Sequence, residues 1–181
     1  MKKILITLAA VLCCTGMMTV FTGCNNNPVT PPSPQTKEAT DVVMAYAFTI
    51  DTVLQNRFNF TVEYYDNDGQ IKTEPMNVLT WQKSVQAPLP ATLGARLKIQ
   101  LKEGLDPATM PKFKFTYSYS FAYQAVDKDG KEAGTLLVVK DTVTSSPKEG
   151  MVQQLLDSLD GVLDQHCYDF DAKGNASARE W

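Results

Sequence analysis

Residues Lys112–Val126 read KFKFTYSYSFAYQAV. Phe113, Phe115, Tyr117, Tyr119, Phe121 and Tyr123 take every second position, with Lys114, Thr116, Ser118, Ser120 and Ala122 between them. Side chains of an extended strand alternate between faces, so this spacing puts all six rings on one face and the small or polar set on the other. A helix would scatter the same rings around its axis, and the stretch therefore reads as a strand. Six rings in a row require a cover, which other strands must supply.

Those strands lie on both sides. In Asp41–Ile50, Val42, Met44, Tyr46, Phe48 and Ile50 alternate with Val43, Ala45, Ala47 and Thr49. Both faces are largely apolar, so a strand covered on two sides is expected. Phe58, Phe60, Val62 and Tyr64 alternate with polar neighbours and predict a strand with one wet face. Asp66-Asn67-Asp68-Gly69 supplies turn chemistry, and 71–81 returns as the hairpin partner. Pro75 removes a ladder donor there, which argues for an edge or a bulge. Leu93, Ala95, Leu97, Ile99 and Leu101 form a further half-buried strand, and 134–143 pairs back onto the aromatic strand after Asp127-Lys128-Asp129-Gly130. The shared Asp-x-Asp-Gly form of the two turns is explained by turn preference better than by an internal duplication.

The periodicity changes after Ser146-Pro147-Lys148-Glu149, which has the form of a capping box with Pro at the first helical position. Met151, Val152, Leu155, Leu156, Leu159, Val162 and Leu163 recur at helical spacing, so one amphipathic helix is expected over about 147–166. Its polar side is acidic, which favours packing on the sheet over contact with a membrane. Six strands with short turns and one helix predict a mainly β protein: an antiparallel β-sandwich, immunoglobulin-like or related, with a C-terminal amphipathic helix. A meander barrel with the same helix is the alternative.

The 181 residues suit one domain, and 44% hydrophobic with 20% charged residues is ordinary for a globular chain. Lys2 and Lys3 precede an uncharged apolar run, Ile4–Phe21, which has the layout of an export signal. The run closes on Phe21-Thr22-Gly23-Cys24. These residues resemble a bacterial lipobox, with Phe21 standing where Leu is usual. The resemblance, to lipoproteins of the Bacteroidetes type, implies cleavage after residue 23 and a lipidated Cys24 at the mature N-terminus. Acyl chains contribute about 0.8 kcal/mol per buried CH2, so two or three of them anchor stably.

Residues 25–40, NNNPVTPPSPQTKEAT, carry four prolines and no apolar periodicity and read as a linker between Cys24 and a single β-rich domain, 41–181. At about 3.1 Å per residue it spans up to roughly 50 Å. Asn25 and Asn26 stand where an aspartate marks inner-membrane retention in the best-known sorting rule, and by that resemblance the outer membrane is favoured. The face, periplasmic or exposed at the surface, is left open. Without Lys2 and Lys3 the 17 basic side chains fall to 15 against 20 acidic ones. That sign, with no basic cluster, argues against a nucleic-acid partner. Cys13 and Cys14 leave with the signal and Cys24 carries lipid, so Cys167 has no partner for an internal disulfide.

Few residues suggest chemistry. His166-Cys167 are adjacent, and neighbours on a helix point about 100° apart, too far to share a proton readily. Asp169-Phe170-Asp171-Ala172-Lys173-Gly174 with Glu180 resembles a calcium EF-hand loop, though Lys173 stands where an oxygen donor belongs. Asp169, Asp171 and Glu180 are thus a weak calcium candidate, and no other metal or cofactor is expected. Asp51-Thr52-Val53, Asp141-Thr142-Val143 and Asp157-Ser158-Leu159 resemble the Asp-Ser/Thr-apolar motif of O-glycosylated Bacteroidetes-type exported proteins, which marks Thr52, Thr142 and Ser158. Aromatic residues are the remaining candidates. Most of the stripe should be core, but one end can outrun its cover, so Tyr117, Tyr119, Tyr123 and Trp81 are candidate binding aromatics. With no catalytic constellation, the expectation is a non-enzymatic envelope lipoprotein that binds a partner protein or glycan. A small apolar-ligand carrier with a barrel interior is the alternative.

Overall fold

The structure, a computed structural model, describes residues 38–181; the leader, Cys24 and most of the linker lie outside the described residues. Among the described residues nine strands and two short helices follow in order: β1 (Asp41–Ile50), α1 (Thr52–Arg57), β2 (Phe58–Tyr65), β3 (Ile71–Pro75), β4 (Thr80–Pro88), β5 (Ala91–Leu101), β6 (Phe115–Val126), β7 (Leu137–Ser145), α2 (Val152–Leu159), β8 (Val162–Phe170) and β9 (Ala176–Arg179). They form two antiparallel sheets, ordered β4-β1-β6-β7 and β3-β2-β5-β8-β9. Neither sheet closes on itself, so the fold is a sandwich and the barrel alternative falls.

The core forms where the inward faces meet. Val42, Met44, Tyr46, Phe48 and Ile50 of β1 are buried, as are Phe58, Phe60, Val62 and Tyr64 of β2 and Leu93, Ala95, Leu97 and Ile99 of β5. Phe121 of β6 stands edge-on to Tyr46 and Phe48, with ring centroids 5.9 and 5.5 Å away, the geometry that aromatic quadrupoles favour. Among the described residues no second layer covers the other face of β1: Val43, Ala45, Ala47 and Thr49 are half-buried beside neighbours on β4 and β6. Two-sided cover was the wrong inference from their apolar character, because small residues tolerate an outer sheet face.

Residues 71–81 do not make one hairpin arm. β3 pairs with β2 and ends at Pro75, on the edge of its sheet, where the missing N–H costs nothing. The chain then crosses to the other sheet, and Trp81 on β4 pairs with Phe48 of β1.

The expected long helix is also corrected. Only Val152–Leu159 is helical, and no side chain caps its start. Ser146, expected as the cap, instead donates its hydroxyl to the carbonyl of Phe113. Val152 is buried, and Leu155, Leu156 and Leu159 pack on the core, as the apolar face requires. Asp160 (φ 47°) and Gly161 (φ 72°) then turn the chain in left-handed conformation, which ends the helix. Val162–Phe170 continues as β8 beside β5.

Candidate binding site

The aromatic stripe is buried at both ends and half-exposed in the middle. Phe113, Phe115, Phe121 and Tyr123 are buried, whereas Tyr117 and Tyr119 are not. Strand register explains the gap. Tyr117, Tyr119, Phe121 and Tyr123 lie opposite Val143, Asp141, Val139 and Leu137 of β7, and residues opposed in an antiparallel pair share a face. That face of β7 is poorly covered: Leu137 is 47% exposed and Asp141 is exposed. In the other sheet, β9 pairs with β8 only over Cys167–Phe170, so among the described residues Val162–His166 has β5 on one side and no strand on the other. β7 therefore overhangs, and the sandwich is open at the level of Tyr117 and Tyr119.

The floor of this opening is β8. Asp164, His166, Tyr168 and Phe170 lie opposite Leu97, Ala95, Leu93 and Ala91 of β5, and so face inward. The His166 ring sits 4.3 Å from that of Tyr119 and 4.7 Å from that of Phe121. Its Nε2 lies 3.1 Å from Asp164 Oδ1 but is misaligned and makes no hydrogen bond. The Tyr117 hydroxyl donates to the Leu163 carbonyl at 3.4 Å. Burial first, and the carboxylate of Asp164 next, push the Tyr117 phenol up to about 12. Tyr119 is likewise raised by burial and by Asp164 and Asp141. The site thus combines two neutral phenols, their ring faces, a histidine and two carboxylates. Such a set accepts hydrogen bonds strongly and attracts positive charge.

The other candidate aromatics belong elsewhere. Trp81, 7% exposed, packs on Phe48 and Tyr64 and donates Nε1–H to Glu74 at 3.0 Å. Glu74 also accepts from the Tyr64 hydroxyl at 2.7 Å and from Lys83 at 2.8 Å. Hydrogen bonds from Lys83, Tyr64 and Trp81 hold its carboxyl down at about 2. Trp81 is therefore part of a lock between β3 and β4. Tyr123 is 9% exposed against Tyr168 and Phe170 and is core.

The calcium candidate is a hairpin turn. Asp171 to Gly174 repeats the geometry of the turns at Asp66–Gly69 and Asp127–Gly130. In each the glycine has positive φ, near 75°, and its N–H bonds back to the aspartate carbonyl. Oδ1 of Asp171 accepts from the N–H groups of Lys173 and Asn175, and Oδ2 accepts from the Asn175 side chain. Asp169 pairs with Arg179 at 3.1 Å and accepts from Thr92. Glu180 is exposed beyond β9. The carboxylates serve the turn and the strand pair instead of converging.

His166 and Cys167 stand on opposite faces of a strand, His166 inward and Cys167 outward over Gly94, and burial raises the Cys167 thiol. Thr52, Thr142 and Ser158 are exposed. Asp51 of the first motif is occupied as the cap of α1, accepting from Leu54 and Thr116 N–H. Ser158 donates to the Leu155 carbonyl. A concavity of about 620 Å³ lies at the end where β1 begins, bounded by Tyr65, Asp66, Asp68, Pro88, Thr92 and Arg179. Its Arg179 is already paired with Asp169.

Sequence reading missed Asp141 and Asp164 as site residues. The alternation Asp164, His166, Tyr168, Phe170 after Asp160-Gly161 carried the signal. Neither a family model, nor a curated protein, nor a solved structure matches the chain.

Proposed function

We propose that the mature protein is a non-catalytic binding module of the cell envelope, held by lipid on Cys24 at the outer membrane, and that its partner seats on the Tyr117–Tyr119 opening. The observation that carries this is local. In a sandwich whose inner faces are otherwise filled, two tyrosines of the core stripe are left accessible beside Asp141, Asp164 and His166. Rings with polar neighbours at a gap in the core are what a recognition surface uses to gain contact area and orientation together. A carrier of a small apolar molecule needs interior space, and Tyr46, Phe48 and Phe121 fill the region between the sheets. The lipobox resemblance and the proline-rich spacer support display away from a membrane.

The test is photo-crosslinking in cells expressing the full chain. A photoreactive residue replacing Tyr119 is expected to yield a discrete adduct, and one replacing Gln86, exposed on the outer face of β4, is expected to yield none. Equal labelling from both positions, or none from Tyr119, overturns the reading. Protease added to intact and then to permeabilised cells decides which membrane face carries the domain.

A further inference from the structure

Twice within this molecule an aromatic ring, a carboxylate and a cation form one unit. Lys83 lies 4.9 Å over the Tyr64 ring while bonded to Glu74. Arg96 lies 4.9 Å over the Trp181 ring while bonded to Glu63 at 2.6 Å. On the open side Tyr119 stands opposite Asp141 and 4.3 Å from the His166 ring, His166 lies 3.1 Å from Asp164, and the Tyr117 hydroxyl reaches the Leu163 carbonyl beside Asp164; among the described residues no Lys or Arg pairs with either carboxylate. From Leu137 to Phe170 the chain holds Lys140 and Lys148 against Asp141, Glu149, Asp157, Asp160, Asp164 and Asp169. Lys140 lies opposite Ser120 and so belongs to the outer face, away from the rings.

Two backbone edges flank the same opening. Among the described residues β7 has a strand on one side only, β6, and Val162–His166 of β8 likewise has only β5. Free edges of this kind pair with an added extended chain, which turns every second side chain toward one face. Resting on the binding-module reading, we propose that the open side between β7 and β8 takes a basic, extended segment of a partner polypeptide. A Lys or Arg of that segment lies over Tyr117 or Tyr119 and pairs with Asp141 and Asp164. The occupant supplies the cation that completes the unit seen at Tyr64 and Trp181. Ring and carboxylate act together because the ring desolvates the cation while the carboxylate fixes its position.

Random short peptides displayed on phage, selected against the intact protein purified in detergent, test this directly. Selected peptides are expected to share one Lys or Arg flanked by alternating β-branched residues. Their affinity is expected to fall with added salt and with butylguanidinium as competitor. It should fall about tenfold or more in Asp141→Asn/Asp164→Asn. Methylating the peptide backbone nitrogens is expected to abolish binding without touching the protein. Peptides with no basic preference, or basic peptides indifferent to salt and to the Asn pair, overturn the proposal. Glucosamine oligomers or a second copy of the chain occupying the opening, with the Tyr119 adduct retained in cells, overturn it while leaving the binding-module reading standing. Absence of any Tyr119 adduct removes both.

Discussion

The two long sides of this sandwich solve the same problem in opposite ways. On the β3–β4 side the chain crosses between sheets through 76–79, and Glu74 collects Tyr64, Trp81 and Lys83 at the crossing. The polar atoms of Tyr64, Trp81 and Lys83 all meet Glu74 there, and the Tyr64 and Trp81 rings are buried. On the β7–β8 side, β7 overhangs, β9 stops short of Val162–His166, and His166 Nε2 has no hydrogen bond. The first arrangement is what stability selects. The second leaves the Asp141 carboxylate and part of the Tyr117 and Tyr119 rings accessible, which suits recognition and adds little to folding.

Substitutions should therefore be costly on one side and cheap on the other. Trp81→Ala removes a buried ring and one of the three donors to Glu74, and about 3–5 kcal/mol of stability is expected to go. Denaturant unfolding checks it; a loss under 1 kcal/mol would erase the distinction between the sides. Next is Gly94→Ala, at the floor beneath the open side. A Cβ there would meet the His166 carbonyl oxygen at 2.5 Å and Cys167 Cα at 2.7 Å, both backbone atoms that cannot step aside. Parting β5 from β8 is expected to cost about 1–3 kcal/mol and to shift the amide resonances of β8.

Glu74→Gln sharpens the comparison by pH. Glu74 is held at about 2, well below its ordinary value of 4.5. Its charge therefore stabilises the fold fully above the ordinary carboxylate range, and that contribution is lost as pH falls through 4.5 toward 2. The Gln variant should be less stable than the native protein near neutrality by about 1 kcal/mol, a modest figure because the carboxylate is 37% exposed and water screens it. The gap should close by pH 2. Unfolding midpoints across that range decide it; a gap that stays constant assigns the acid limb to another group.

Local alternation made much of the fold legible. The stripes of β1, β2, β5 and β6 needed only period-two reading, and the Asp-x-Asp-Gly turns located two hairpins. β8 was hidden because Val162 and Leu163 continue the helical spacing of Val152, Leu155 and Leu159. Asp160-Gly161 punctuates the chain there, but a strand whose inward residues include Asp164 and His166 does not look half-buried from sequence. Tyr117 and Tyr119 were visible as rings, but their exposure depends on β7 overhanging a sheet whose last strand is four residues long. No local pattern encodes that. Trp81 and Tyr123 failed as candidates for the converse reason, since what covers a strand face comes from distant parts of the chain.

The smallest stability effect is expected where function is proposed. Tyr119 is half-buried, and its ring touches His166 and Phe121 without sealing the core. Tyr119→Ala should cost about 1 kcal/mol, because part of the ring already faces solvent in the native state. If the side is a recognition surface, the same change should abolish binding of a selected basic peptide, while Trp81→Phe, on the locked side, leaves that binding intact. Titrations on both variants, with unfolding curves beside them, separate the two roles. A Tyr119→Ala protein that loses several kcal/mol would mean the opening is filled in solution, and the ring would then belong to the core with its neighbours.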